Sequence, residues 1–125
     1  MHRSIRRLPD AELEVMNALW ECTRPASRAD IEEHLHTEHP LAATTVLTLL
    51  QRLSDKGFLR MEKQGRTNCY TPVIEKQDYL AAQSRRFVDK LCGGSIRTFA
   101  AALCDSGLSR EELDELRALL EKGEL

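Results

Sequence analysis

The hydrophobic period of this chain changes abruptly at Gly57. Before it, Val46, Leu49, Leu50 and Leu53 recur at three- and four-residue steps, the spacing of one face of an α-helix. After it, FLRMEK (58–63) and TNCYTP (67–72) are short β-compatible runs on either side of Gln64-Gly65-Arg66. Phe58, Leu59, Cys69, Tyr70 and Thr71 favour strand, Gly suits a tight hairpin turn, and Pro72 closes the second run. The spacing therefore predicts a helix over about 42–56, stopped by Gly57 and followed at once by a two-stranded hairpin. The apolar face of that helix must be covered by whatever precedes it.

What precedes it is helical. Pro9 and Asp10 open a first helix, with Leu13, Met16, Leu19 and Trp20 on a core-facing stripe, and the Thr23-Arg24-Pro25 turn ends it. Ser27 and Asp30 form an S-x-x-D start to a second helix, SRADIEEHLHTE, with Ile31 and Leu35 as core contacts and His39-Pro40 as its stop. After the hairpin the pattern is helical again. EKQDYLAAQSRRFVDKLC aligns Tyr79, Leu80, Gln83, Phe87, Val88 and Leu91, and Gly93-Gly94 breaks it. SIRTFAAALCD follows with Ile96, Phe99, Ala100 and Leu103 on one stripe. Ser109 and Glu112 then form a capping box ahead of a last helix carrying Leu113, Leu116, Leu119 and Leu120. Three helices and a hairpin is the layout of a winged helix-turn-helix, in which the third helix docks in the DNA major groove and the wing lies on the flanking backbone. The last helices are too apolar on one face, and too few, to enclose a core alone. Dimerisation is the economical explanation.

The fold class expected is mainly α with a small β-hairpin: a winged helix-turn-helix over residues 1–73, then a helical dimerisation region over 74–125. The 125 residues are 42% hydrophobic and 30% charged, with no apolar run near the ~20 residues of a membrane helix. The start, MHRSIRRLPD, has no apolar stretch of the kind a signal peptide carries, so a cytoplasmic location is expected. The net charge of −2 argues against a protein that coats nucleic acid indiscriminately, but its distribution is uneven. Residues 52–66 hold five basic against two acidic side chains; residues 73–125 hold eight basic against ten acidic. A specific DNA binder needs only its contact face to be positive.

Turning the 42–56 helix by about 100° per residue puts Thr44, Thr48, Gln51 and Asp55 opposite the apolar face. Leu47 and Arg52 flank them, and Thr45 is placed nearer the core edge. Thr hydroxyls suit phosphate oxygens, a Thr methyl can touch thymine, and Gln can pair with adenine. Arg52 can hold a phosphate or a guanine edge, and the free N–H groups near Thr44 and Thr45 suit phosphate. By itself the pattern equally fits a solvated face. Lys63 and Arg66 at the hairpin favour DNA, and Arg3, Arg6 and Arg7 are candidates for an arm into a groove. Other chemistries are weaker. His34, His36 and His39 with Glu38 do not share one helix side, so no metal is expected. Cys22, Cys69, Cys92 and Cys104 lack zinc spacing and read as reduced, buried small hydrophobes. No cysteine is marked as an activated partner of a histidine, and no catalytic motif or cofactor is indicated.

Taken together these residues resemble the penicillinase-repressor family of the BlaI/MecI/CopY type. The resemblance runs from Leu8-Pro9-Asp10-Ala11-Glu12-Leu13-Glu14-Val15-Met16 and Leu19-Trp20 to Thr45-Val46-x-Thr48-Leu49-Leu50-x-Arg52-Leu53 with Lys56-Gly57. It continues through Gly65-Arg66, Tyr70-Thr71-Pro72, Asp78-Tyr79 and Gly94-Ser95 to the Leu-rich last helix. It implies a homodimeric repressor of a palindromic operator, without enzymatic activity, whose C-terminal helices form the dimer interface. In the antibiotic-responsive branch a membrane sensor system leads to cleavage at an Asn-Phe bond. The matching position here is Ala102-Leu103, which implies altered specificity if cleavage occurs. The Cys-x-Cys pairs of the copper-responsive branch are not matched, because no Cys follows Cys104.

The residues expected to contact operator DNA are Thr44, Thr45, Thr48, Gln51, Arg52, Lys63 and Arg66. Those expected at the dimer interface are Phe87, Leu91, Phe99, Leu103, Leu113, Leu116 and Leu120. Two alternatives stay open at this level: a winged-helix protein-interaction module without DNA binding, and a repressor that senses a ligand or metal.

Overall fold

The computed structural model describes residues 5–36 and 40–123. Six helices and three strands follow one another: α1 (Asp10–Glu21), β1 (Ala26–Ser27), α2 (Arg28–Glu33), α3 (Ala43–Asp55), β2 (Leu59–Gln64), β3 (Thr67–Pro72), α4 (Lys76–Lys90), α5 (Ile96–Asp105) and α6 (Arg110–Lys122). This is the expected order of three helices, a hairpin and three helices. Among these residues no helix is long and apolar enough to cross a membrane.

The chain divides into two compact units, Met1–Ala82 and Gln83–Leu125. The division falls inside α4 because Tyr79, in its first turn, belongs to the core of the first unit. There the Tyr79 hydroxyl accepts a hydrogen bond from the Leu8 backbone N–H at 2.9 Å, and its ring meets Phe58 and Trp20 at 5.8 Å each. The Trp20 indole N–H donates to the Ile74 carbonyl at 3.0 Å. Val46, Leu49, Leu50 and Leu53 of α3 are all buried, packed with Val15, Met16 and Leu19 of α1 and with Ile31 of α2. The helical spacing read in α3 is therefore the spacing of its core face.

Two glycines set the geometry that follows α3. Gly57 has φ +81°, and the N–H groups of Gly57 and Phe58 return to the carbonyls of Ser54 and Leu53 at 3.0 and 2.9 Å. That is a Schellman stop, which needs the left-handed conformation Gly adopts without penalty. Gly65 has φ +65°, and among the described residues no non-Gly residue has positive φ. Gln64 pairs with Thr67, so the loop is Gly65-Arg66 alone, with the type II′ signature that matches strand twist.

Three expectations need correction. First, α2 is shorter than SRADIEEHLHTE. The Ser27–Asp30 capping box forms, but the helix ends at Glu33 with His34 as its cap, and Leu35 lies beyond it, half-buried against the core. His39 and Glu38 lie outside the described residues, as does Arg3. Second, the hairpin is part of a three-stranded antiparallel sheet, ordered β1-β3-β2, in which Ala26 pairs with Tyr70 and Ser27 with Cys69. A two-residue strand carries no periodicity to read. Third, Cys22, Cys69 and Cys92 are buried but Cys104 is exposed, because α5 and α6 contain no buried residue.

In the second unit both S-starts act as caps: Ser95 Oγ accepts from Thr98 N–H, and Ser109 with Glu112 forms the full capping box. Phe87 and Phe99 meet edge to face at 5.7 Å. Among the described residues of this unit only Val88 and Cys92 are buried, whereas Leu91, Ile96 and Leu120 are 75%, 61% and 60% exposed.

Candidate nucleic-acid interface

With its apolar face on the core, α3 must present its other side outward. Thr44, Thr45, Leu47, Thr48, Gln51, Arg52 and Asp55 are all exposed. Thr45 is thus on the open surface rather than at the core edge, because the core face begins at Val46. Ala42 caps the helix without a side-chain hydrogen bond. Among the described residues no side chain accepts from the first-turn N–H groups, which leaves them available to an anion.

Two of the polar side chains are engaged within the helix. The Thr48 hydroxyl donates to the Thr44 carbonyl at 2.9 Å, and the Gln51 amide donates to Asp55 Oδ1 at 3.0 Å. While donating to Thr44, Thr48 Oγ1 still has its acceptor lone pairs. To donate to a phosphate it must rotate away from Thr44, and to read an adenine with both ends of its amide Gln51 must release Asp55. Both bonds are exposed and individually modest, about 1 kcal/mol, so a competing partner can replace them.

The wing presents its cations differently. Arg60 is paired with Glu62 at 2.6 Å, but among the described residues Arg52, Lys63 and Arg66 have no ion pair. Lys63 lies opposite Asn68 in the ladder, and Arg66 occupies the turn itself. Arg6 and Arg7 are exposed just before buried Leu8. Between α3 and the sheet lie two shallow depressions of about 200 and 270 Å³, which share Leu47, Asn68 and Tyr70 in their lining. Burial pushes the Tyr70 phenol above its ordinary value, so Tyr70 is a neutral wall.

One charged residue that the stripe of α1 hid is structural. Glu12 stands on the core side with Val15, Met16 and Leu19, its side chain 4% exposed, and accepts from Lys56 Nζ at 2.5 Å. Lys56 is the C-cap of α3, so the pair ties the end of the outward-facing helix to α1. Its signal in the sequence was a carboxylate standing at helical spacing within an apolar stripe.

The other chemistries can now be placed. The Cys22 thiol lies 3.5 Å from His34 Nδ1, which is also 2.9 Å from the Asp30 carbonyl. Burial, with Asp30, Glu21 and Glu33 nearby, raises the Cys22 pKa. That pair is the reverse of an activated thiolate. His36 instead meets Glu21 at 3.1 Å. Among the described residues no group of His, Cys, Asp and Glu is arranged to hold a metal ion.

The family model described as "Penicillinase repressor" matches residues 8–122. The chain belongs to the penicillinase repressor family. The family is one of transcriptional repressors rather than enzymes. The match spans both units, so the C-terminal helices are as much a part of the family pattern as the winged helix. The penicillinase repressor of Bacillus licheniformis is 33% identical over 121 residues, covering 96% of this chain and 94% of that one. The methicillin resistance regulatory protein MecI of Mammaliicoccus sciuri is 29% identical over 123 residues, covering 98% and 99%. The solution structure of the monomeric form of Bacillus licheniformis BlaI in complex with the blaP half-operator is 36% identical, covering 60% of this chain and 90% of that one at a TM-score of 0.49.

Proposed function

We propose that this member of the repressor family binds a palindromic operator as a homodimer in the cytoplasm and represses by occluding a promoter. The observation that carries the reading is the joint exposure of the polar side of α3 and of the wing cations Lys63 and Arg66, which have no ion pair among the described residues. α3 would enter the major groove, with Thr44, Thr48 and Gln51 toward base edges. Arg52, Lys63 and Arg66 would neutralise the flanking phosphates, and the Thr45 hydroxyl would donate a hydrogen bond to one. Each copy alone makes few contacts. Two copies reading half-sites about 34 Å apart bind as one through a high effective concentration. Anything that separates the C-terminal helices would then release the DNA.

The exposed apolar side chains of the second unit supply the dimer surface in this reading. Phe87, Leu91 and Leu120 are exposed, and Phe99, Leu103, Leu113 and Leu116 half-buried. Relief by a membrane sensor system would act at Ala102-Leu103. That bond lies within α5, with Ala102 exposed, so a protease must first unwind the helix locally.

The test is binding of the full chain to DNA from upstream of its own gene, measured against salt. Arg66→Ala is expected to weaken binding to all duplexes and to lower the salt slope by about one ion. Thr48→Ala is expected to cost about 1 kcal/mol on the preferred duplex. Wild-type affinity in both variants would remove α3 and the wing from the interface.

A further inference from the structure

One side chain on the outward side of α3 does not match its surroundings. Leu47 stands among exposed Thr44, Thr48 and Gln51 and is itself 43% exposed. A single exposed leucine needs no explanation, but this one has a counterpart. Met61 on β2 is 47% exposed, and the two line the same depression of about 200 Å³, together with Tyr70. Gln51 and Asn68 are polar groups in its lining. Asn68 pairs in register with Lys63, and Thr67, the residue after Arg66, lines the adjoining depression that Leu47 shares. The result is an apolar notch edged by amides and near Lys63 and Arg66, cations without carboxylate partners among the described residues.

That combination suits a polyanion whose surface carries a small apolar group among hydrogen-bonding edges. In the major groove that group is the C5-methyl of thymine; the other three bases present donors and acceptors there. We propose that Leu47 reads a thymine methyl, with Met61 closing the wing side of the contact, and so gives this chain a preference for thymine at one position of each operator half-site. The inference rests on the reading of α3 as the helix that enters the major groove. Leu47 forms no hydrogen bond, so its selectivity would depend on the methyl alone, and uracil lacks only that group.

The experiment uses a duplex selected from a random pool by the full-length chain, with each thymine replaced in turn by deoxyuridine. At one position in each half-site, a single replacement is expected to make the wild type bind roughly fourfold more weakly, the effect of one buried methyl-sized group. Leu47→Ala is expected to bind the thymine and uracil duplexes equally, and Leu47→Met to recover most of the difference. Since Leu47 is exposed, neither change opens the core, and an unchanged far-ultraviolet circular dichroism spectrum verifies this. The inference is overturned if every replacement is silent in the wild type, or if Leu47→Ala keeps the full loss. In either case salt-sensitive binding by the wild type would still uphold the DNA reading. If the chain selects no duplex at all, both fall.

Discussion

The two units of this chain treat apolar side chains in opposite ways. In the first, a continuous cluster from Leu8 to Tyr79 includes nine large side chains that are essentially inaccessible, among them Phe58, Met16, Leu50 and Leu53. In the second, α5 and α6 bury nothing fully, and Leu91, Ile96 and Leu120 stand open. Both were read from the same kind of three-four spacing. The difference teaches that an amphipathic stripe reports only that a face must be covered. In the first unit three helices and a sheet cover one another within one chain. In the second the helices are too few, which is the physical argument for a second copy.

The sharpest way to break this contrast is to truncate one leucine in each unit. Leu50→Ala is expected to lower the stability of the first unit by about 2–5 kcal/mol, as for other buried leucines, seen as a lower urea midpoint at any protein concentration. Leu120→Ala should leave that midpoint unchanged when the chain is dilute. Equal losses in the two variants, independent of concentration, would mean that the second unit has a closed core of its own.

Ion pairs supply a second comparison. Glu12 is almost fully buried against Lys56, whereas Arg85 and Asp89 form an exposed pair within α4, 60% and 53% exposed. Lys56→Met leaves a buried carboxylate without its partner and is expected to cost about 3 kcal/mol. Arg85→Met should stay within about 0.5 kcal/mol of wild type. Chemical denaturation compares the two directly, and a small Lys56→Met effect would show that water reaches Glu12.

Leu116→Asp probes the covering of the second unit. A charge placed in the proposed interface should weaken self-association by about tenfold or more, since an unpaired carboxylate must be desolvated. Light scattering across a dilution series reads this, and an unchanged dimer would move the interface to another face of the unit.

The smallest effect concerns the clasp beside α4. Arg24 holds Glu75 through two hydrogen bonds at 2.7 and 2.8 Å, and this contact lowers the Glu75 pKa. In the unfolded chain the carboxyl returns to its ordinary value, so the unfolded state binds more protons between the two. The contribution is therefore present above the ordinary carboxylate range and is lost as pH falls through the lowered value. Glu75→Gln should flatten this acid-side slope of the urea midpoint and change little near neutrality. An identical slope in wild type and variant would show that the clasp is not formed in solution.

Much of this is legible in the order of the residues alone. Residue spacing and turn chemistry were enough to place α1, α3, the hairpin and α4 to α6, since Pro9, Gly57, Gly65 and the Ser27 and Ser109 caps act through their own local backbone. The outward side of α3 was equally legible once its core face was known. Other features depended on contacts between distant residues, and no local pattern encodes those. β1 exists only because Ala26 meets Tyr70 in register. Glu12 is a structural residue only because Lys56, far along the chain, arrives beside it. Cys104 is exposed because the described residues cover α5 only in part, and Leu47 gains a meaning beyond an ordinary exposed leucine only when Met61 is folded back across from it. Local free energies set where helices and turns begin and end. Which side chains meet, and which faces are left open, is decided by packing.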